Sequence, residues 1–216
     1  MTVIGGPGVE LDDEEVAAFV RRELEGLDVD GKRVCLVVPD ATRSCPLPLL
    51  VRELHAALVD RVAGLTAVVA LGTHAAMTDE QLDAHLGAPY PGLVVVNHEW
   101  WEPGTFVSLG TISSERVKQL SEGRLEQAVD VRINRHVTES DVVILVGPVF
   151  PHEVVGFSGG NKYLFPGVAG PEVIDLSHWL GALISSADII GTRGTTPVRA
   201  LIDEAAALVP ARRLAL

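Results

Sequence analysis

The segment Asp141-Val-Val-Ile-Leu-Val146 is a short apolar run rich in β-branched residues, and it empties directly into Gly147-Pro-Val-Phe-Pro-His-Glu-Val-Val-Gly-Phe-Ser-Gly-Gly-Asn-Lys-Tyr-Leu-Phe-Pro-Gly-Val-Ala-Gly170. A run of this kind, bounded by turn residues, predicts a strand buried on both faces. The glycine-rich loop after it gives up conformational order to let main-chain atoms approach something closely. An anionic or nucleotide-like ligand suits such a loop, because backbone N–H groups can cradle negative charge. An irregular structural loop is the plainer reading of the same residues.

Outward from this segment, helical and extended patterns alternate. Leu11-Asp-Asp-Glu-Glu opens a helix that runs to Gly26 with apolar residues at helical spacing. Arg33-Val-Cys-Leu-Val-Val38 is a second buried run, followed by the polar loop Pro39-Asp-Ala-Thr-Arg-Ser-Cys-Pro-Leu-Pro48 and a helix over about 49–62. Ala67-Val-Val-Ala-Leu71 discharges into Gly72-Thr-His74, and Thr78-Asp-Glu-Gln81 is a capping box that starts a short helix. Leu93-Val-Val-Val-Asn97 is a further strand, 106–109 an edge segment, 113–128 helical or irregular, and 129–133 another extended piece. A helix is expected over 172–184, and another with Thr196 as N-cap and Pro197 in its first turn. This order predicts an α/β fold, a doubly wound, mainly parallel, Rossmann-like sheet, organised as a single domain over 1–216.

In such a sheet the ligand crevice lies beyond the carboxyl ends of the strands. Polar residues recur at those places: Asp40, Thr42 and Arg43, then His74, then His98, then His152. If the strands are parallel these groups converge on one edge. Each also has a bland reading: a strand-end histidine as a loop residue making one hydrogen bond, Arg43 as a surface charge, Asp40 and Thr42 as a turn. His55, His85 and His136 read as structural or solvated. His178, within Asp175-Leu-Ser-His-Trp-Leu, is either packed beside Trp179 or a metal ligand. No HxH or HxxxH pair marks a metal site.

Composition excludes several classes. With 216 residues, 47% hydrophobic and 21% charged, the chain is globular and able to bury about 70% of its unfolded surface. A net charge of −12 repels phosphates at a distance, which argues against nucleic acid or an anionic membrane as partner, so any phosphate site must be local. Two cysteines without a CxxC pair, and no export signal or long apolar run, point to a reducing, cytoplasmic setting. A homo-oligomer is left open.

Taken together, Asp40-Ala-Thr-Arg43, Gly72-Thr-His74 with Met77-Thr78, Asn97-His98, and above all Pro151-His152-Glu-Val-Val-Gly156-Phe-Ser-Gly-Gly-Asn-Lys162 with Pro166-Gly167 and Gly170, resemble the nickel-dependent lactate racemase family. The resemblance keeps the same order from about Asp40 to Ala206. It implies an N-terminal domain that holds a nickel pincer nucleotide, the Ni(II) complex of pyridinium-3,5-bisthiocarboxylic acid mononucleotide. By the same match Asp40, Ala41, Thr42 and Arg43 lie against the cofactor with Ser158, Gly159 and Gly160. Lys162 is the residue that can be joined to it, and His178 is the nickel ligand. His74 and His152 match the family's acid/base pair, and Arg43 the receptor of a substrate carboxylate.

The reaction so implied is racemisation or epimerisation of a lactate-like 2-hydroxy acid by proton-coupled hydride transfer. Two residues depart from the pattern, Ser44 and Asn161, so a substrate preference other than lactate is expected. The family's C-terminal lid domain is absent from these 216 residues, which is expected to leave catalysis incomplete. Two other readings are a pincer-nucleotide-binding or carrier domain without catalysis, and a hydrolase or transferase with Ser158 as nucleophile.

Overall fold

The computed structural model describes residues 2–216; Met1, the first residue of the N-terminal stretch without an export signal, lies outside them. In chain order the elements are α1 (Asp13–Glu25), β1 (Arg33–Pro39), α2 (Leu47–Leu58), β2 (Gly64–Ala70), α3 (Asp79–Leu86), β3 (Leu93–Asn97), β4 (Phe106–Ile112), α4 (Ser114–Leu120), β5 (Val129–Asn134), α5 (Arg135–Thr138), β6 (Val142–Leu145), β7 (Pro151–His152), β8 (Gly156–Phe157), α6 (Pro171–Ala182), α7 (Ser186–Ile189), α8 (Pro197–Ala207) and β9 (Arg212–Ala215). Five strands form a parallel sheet in the order β3-β2-β1-β6-β9. The predicted α/β architecture with a doubly wound parallel sheet is therefore the one observed.

The unbroken apolar runs follow from burial on both faces. Along β1, Val34, Leu36 and Val38 point into a core with Leu24 of α1, Leu54 of α2 and Leu86 of α3. The alternate residues Cys35 and Val37 point into a second core with Leu176 of α6 and Leu201 of α8. From β1 the chain winds outward through β2 to β3, whereas β6 sits on the other side of β1 and leads to β9. The winding direction reverses between β1 and β6, which is where a doubly wound sheet opens its crevice.

Several boundaries differ from expectation for local reasons. α2 begins at Leu47 and carries Pro48 in its first turn, where a missing N–H leaves no helical bond unmade. It stops at Leu58 because the chain turns there, with Arg61 N–H donating to the Leu58 carbonyl at 2.9 Å. Residues 106–109 are not an edge of the parallel sheet. They belong to β4, which pairs antiparallel with β5 as a separate two-stranded sheet. Val129, Val131 and Ile133 of β5 alternate into the second core, so this pair covers one face of the main sheet. The capping box of Thr78 with Gln81, and Thr196 as N-cap of α8, stand as predicted.

His98 corrects a larger expectation. It follows β3, but it does not reach the crevice: its ring is fully buried, Nε2–H donates to the Ala169 carbonyl at 3.1 Å, and Nδ1 accepts from the Asn134 side-chain amide at 3.2 Å. Burial pushes its pKa down from 6.5 to about 4. The folded state then binds fewer protons than the unfolded state between those values, so stability falls as pH drops through that window. His98 alone should remove about 3 kcal/mol between pH 6.5 and pH 4. Urea midpoints across this range, compared with those of His98→Asn, should show a flatter pH dependence in the variant.

Candidate functional site

Three strand-end loops and one helix meet at the reversal point. The loop after β1 supplies Asp40 and Arg43, the loop after β2 supplies His74, the glycine loop after β6 supplies His152, Ser158, Gly159 and Lys162, and α6 supplies His178. All of them line one cleft of about 230 Å³, together with Glu153, Val154, Tyr163 and Ile174. The parallel sheet is the cause, because it brings the carboxyl ends of β1, β2 and β6 to the same edge. Ala41, Thr42 and Gly160 do not line it: Ala41 and Thr42 are exposed on the outer side of the turn.

Asp40 and His74 act as a unit. Asp40 Oδ2 is hydrogen-bonded to His74 Nδ1, and Asp40 Oδ1 accepts from the Thr42 hydroxyl at 2.6 Å and the Thr42 N–H at 3.1 Å. Burial raises the Asp40 pKa, but the bonds from His74 and Thr42 outweigh it and hold the carboxyl below its usual value. An ionised acceptor at Nδ1 fixes that nitrogen as the donor, so the lone pair of His74 lies at Nε2. The loop is held in turn by the Trp100 indole, which donates to the His74 carbonyl at 3.0 Å, and by Gly72 N–H, which donates to the Gly167 carbonyl at 2.8 Å.

His152 is wired the opposite way. Its Nδ1 accepts the Val154 backbone N–H at 3.1 Å, which places the proton of the neutral ring at Nε2. Burial first, then the charges of Lys162 and Arg43 against an opposing Glu153, pushes its pKa down to about 4. The ring is therefore neutral at pH 7, and the 3.6 Å approach of Glu153 Oε2 to Nδ1 is not a salt bridge. One histidine thus offers a lone pair to the cleft and the other an N–H.

The glycine loop is braced from behind. Ser158 N–H donates to the Phe150 carbonyl at 2.8 Å, and Ser158 Oγ accepts from Phe150 N–H at 3.0 Å and donates to the Pro148 carbonyl at 3.1 Å. This commits the Ser158 hydroxyl to closing the two arms of the loop, and no imidazole is bonded to it, which removes the support for a serine nucleophile. Gly159 has φ +80°, and a Cβ there would run into Val149. Arg199 of α8 donates to the Phe157 carbonyl and, at 3.5 Å, to the Gly159 carbonyl. Asn161 does not line the cleft but donates to Asp203 of α8 at 2.9 Å, so its departure from the pattern concerns loop anchoring and not substrate contact.

Sequence reading missed Arg199, Glu153 and Tyr163. The one available signal was an arginine in the first turn of α8, where the helix dipole disfavours a cation. Burial, then the Arg43 charge, with Glu153 partly opposing, lowers the Lys162 pKa to about 8. The Arg43 guanidinium has no ion-pair partner among the described residues and lies 5.6 Å from the Phe150 ring.

Residues 17–191 match the lactate racemase N-terminal domain. The chain belongs to this family. Lactate racemase of Lactiplantibacillus plantarum is 31% identical over 160 residues, and that of Thermoanaerobacterium thermosaccharolyticum 28% over 161. These alignments take in 72% and 73% of this chain and 34% of each relative, so the chain spans about a third of their length. A Thermotoga maritima protein superposes with a TM-score of 0.86 at 30% identity, over 95% of this chain and half of that one. The lactate racemase apoprotein of T. thermosaccharolyticum superposes at 0.69 and 22% identity, over 93% of this chain and 48% of that one, which shows the shared fold.

The lactate racemase N-terminal domain here has no helix long and apolar enough to cross a membrane among its described residues. No group of three or more His, Cys, Asp or Glu side chains could hold a metal ion by itself among those residues. His178 is nonetheless arranged like a ligand. It is exposed on α6 beside an exposed Trp179, so it is not a packed core residue, and its Nδ1–H donates to the Ile174 carbonyl at 2.7 Å. That bond leaves Nε2 with its lone pair, as metal-ligating histidines require. A single such histidine fits a metal that arrives with its other donors already attached.

Proposed function

We propose that the protein takes part in racemising or epimerising a lactate-like 2-hydroxy acid, with a nickel pincer nucleotide seated in this cleft. The observation that carries the reading is the pairing in one cleft of a lone-pair histidine, His74, and an N–H histidine, His152, in the company of the unpaired Arg43, a lysine and a ligand-ready His178. Lys162 and the Ser158 to Gly160 turn would hold the nucleotide, and His178 Nε2 would complete the nickel coordination. When bound, the cofactor would supply an electrophilic centre for reversible hydride transfer at the α-carbon.

The chain's own residues do the rest. Arg43 binds the carboxylate with two parallel donors. His74 Nε2 takes the hydroxyl proton as the oxygen becomes a carbonyl, and the Asp40 carboxylate stabilises the imidazolium that forms. His152 Nε2–H donates to oxygen from a second direction, as a neutral imidazole donor. Starting from the other enantiomer, the two rings exchange tasks, which for His152 requires moving its proton to Nδ1 and releasing Val154 N–H.

The test is to produce the protein in a host that makes the cofactor and measure nickel content, intact mass and racemisation of D- and L-lactate and longer 2-hydroxy acids. Stoichiometric nickel with interconversion of a 2-hydroxy acid is the expected result. Nickel uptake without turnover on any of these acids would instead support a binding or carrier role. No uptake at all would remove the cofactor from the site.

A further inference from the structure

The chain has three lysines, and two of them are committed: Lys32 pairs with Asp28 and Lys118 with Glu126 on the surface. Lys162 differs in place and in bonding. Its side chain is partly buried in the cleft, and among the described residues it has neither an ion-pair nor a hydrogen-bond partner for its nitrogen. Arg43, also unpaired, lines the same cleft with His74 and His152. An unpartnered amine beside an unpartnered guanidinium is an arrangement for a carbonyl compound that also carries a carboxylate.

We propose that, before any cofactor is seated, this cleft takes 2-oxo carboxylates covalently, as an imine on Lys162 with the carboxylate on Arg43. The proposal shares with the reading above the assignment of Arg43 as carboxylate receptor and of His74 and His152 as the proton-handling pair, and it does not involve the hydride chemistry. The Lys162 nitrogen adds its lone pair to the carbonyl carbon, and the carbonyl oxygen takes a proton. A second proton lets that oxygen leave as water while the nitrogen sheds its own and the C=N bond forms. The sum is amine plus ketone giving imine plus water, with no oxidant or reductant. His74 Nε2 can take the proton shed by nitrogen and pass it to the oxygen that leaves as water, while the neutral His152 Nε2–H hydrogen-bonds that oxygen.

Two facts support the amine as nucleophile. Burial and the neighbouring Arg43 lower its pKa to about 8, with Glu153 and Asp40 partly opposing, so an appreciable fraction is neutral at pH 7 to 8. The cleft of about 230 Å³ suits a small acid such as pyruvate. One consequence is competition: the imine and the nucleotide would need the same lysine, so 2-oxo acids should slow cofactor loading.

The experiment incubates the cofactor-free protein with pyruvate and cyanoborohydride, which reduces the imine to a stable secondary amine, and maps the adduct by peptide mass spectrometry. Acetone, the same carbonyl without the carboxylate, is the control. We expect one adduct from pyruvate, at Lys162, with Lys32 and Lys118 labelled at least about tenfold less, and a smaller preference with acetone, which has no carboxylate for Arg43 to hold. Arg43→Ala should cut pyruvate labelling about tenfold or more beyond its effect on acetone labelling, the effect of one charge-assisted contact, because acetone loses only what a rise in the Lys162 pKa takes away. Equal labelling of the three lysines, equal rates for pyruvate and acetone, or a pyruvate-to-acetone ratio that Arg43→Ala leaves unchanged would each overturn the proposal. The map on the parent protein decides this even if a Lys162 variant fails to fold. Because no cofactor is present, a negative result here leaves the racemase reading standing, and failure of nickel uptake leaves this one standing.

Discussion

Replacing His74 with alanine is expected, under the proposed racemisation, to lower turnover of a 2-hydroxy acid by the cofactor-loaded protein by about 10²- to 10⁴-fold, the range that one positioned acid/base group supplies. The substrate KM should change little, because the proposal gives the carboxylate to Arg43 and not to the imidazole. Asp40→Asn is the sharper companion. The amide keeps the size and the Thr42 contacts of Asp40, but it can present an N–H to His74 Nδ1 and so favour the tautomer whose lone pair faces away from the cleft. Its loss should fall in kcat and should be accompanied by a change in the His74 nitrogen chemical shifts from the Nδ1–H to the Nε2–H form. Steady-state kinetics over both enantiomers and nitrogen-detected NMR check the two halves. A His74→Ala protein that turns over like its parent would take His74 out of the chemistry.

The largest loss of stability is expected from Phe165→Ala. Phe165 sits inside the glycine loop, yet its side chain is fully buried, packed into the core shared by Val143, Leu145 and Leu201. Truncating a buried phenylalanine typically costs about 3–5 kcal/mol, from lost transfer energy and the cavity left behind. In a domain of this size about 2–4 °C of melting temperature is lost per kcal/mol, so the variant should melt on the order of 6–20 °C lower. The effect reaches the site as well, because Phe165 N–H donates to the Asn161 carbonyl at 2.9 Å and Gly167 N–H to the Lys162 carbonyl at 3.2 Å. Calorimetry would measure the first part. Loss of selectivity for Lys162 in the reductive labelling, at a temperature where the variant is folded, would measure the second.

Much of the fold was legible because it depends on local pattern. Apolar runs such as those of β1 and β6 are near-continuous only when both faces of a sheet are covered, and the capping residues Thr78 and Thr196 mark helix starts through bonds to amides three residues on. The pairing of β4 with β5 was not legible, since two short amphipathic strands separated by a helix carry no local mark of which sheet they join. Of the site, Arg43, His74 and His152 could be read as strand-end groups of a parallel sheet and Lys162 through the family motif, and all four share one cleft.

By itself the sequence determined an α/β chain with its polar groups at strand ends, and a glycine-rich segment whose motif places it in one family. Only the tertiary structure decided which of those groups face the cleft and in what chemical state. His98 and His152 look alike in sequence, each a histidine following a strand. One is sealed between Asn134 and the Ala169 carbonyl, while the other is turned into the cleft with its proton at Nε2 by a single N–H from Val154. His74 is made a base by Asp40, a residue from a different strand end. Burial and hydrogen-bond partners are long-range quantities, set by segments far apart in the chain, whereas strand and helix periodicity is set by neighbours a few residues away.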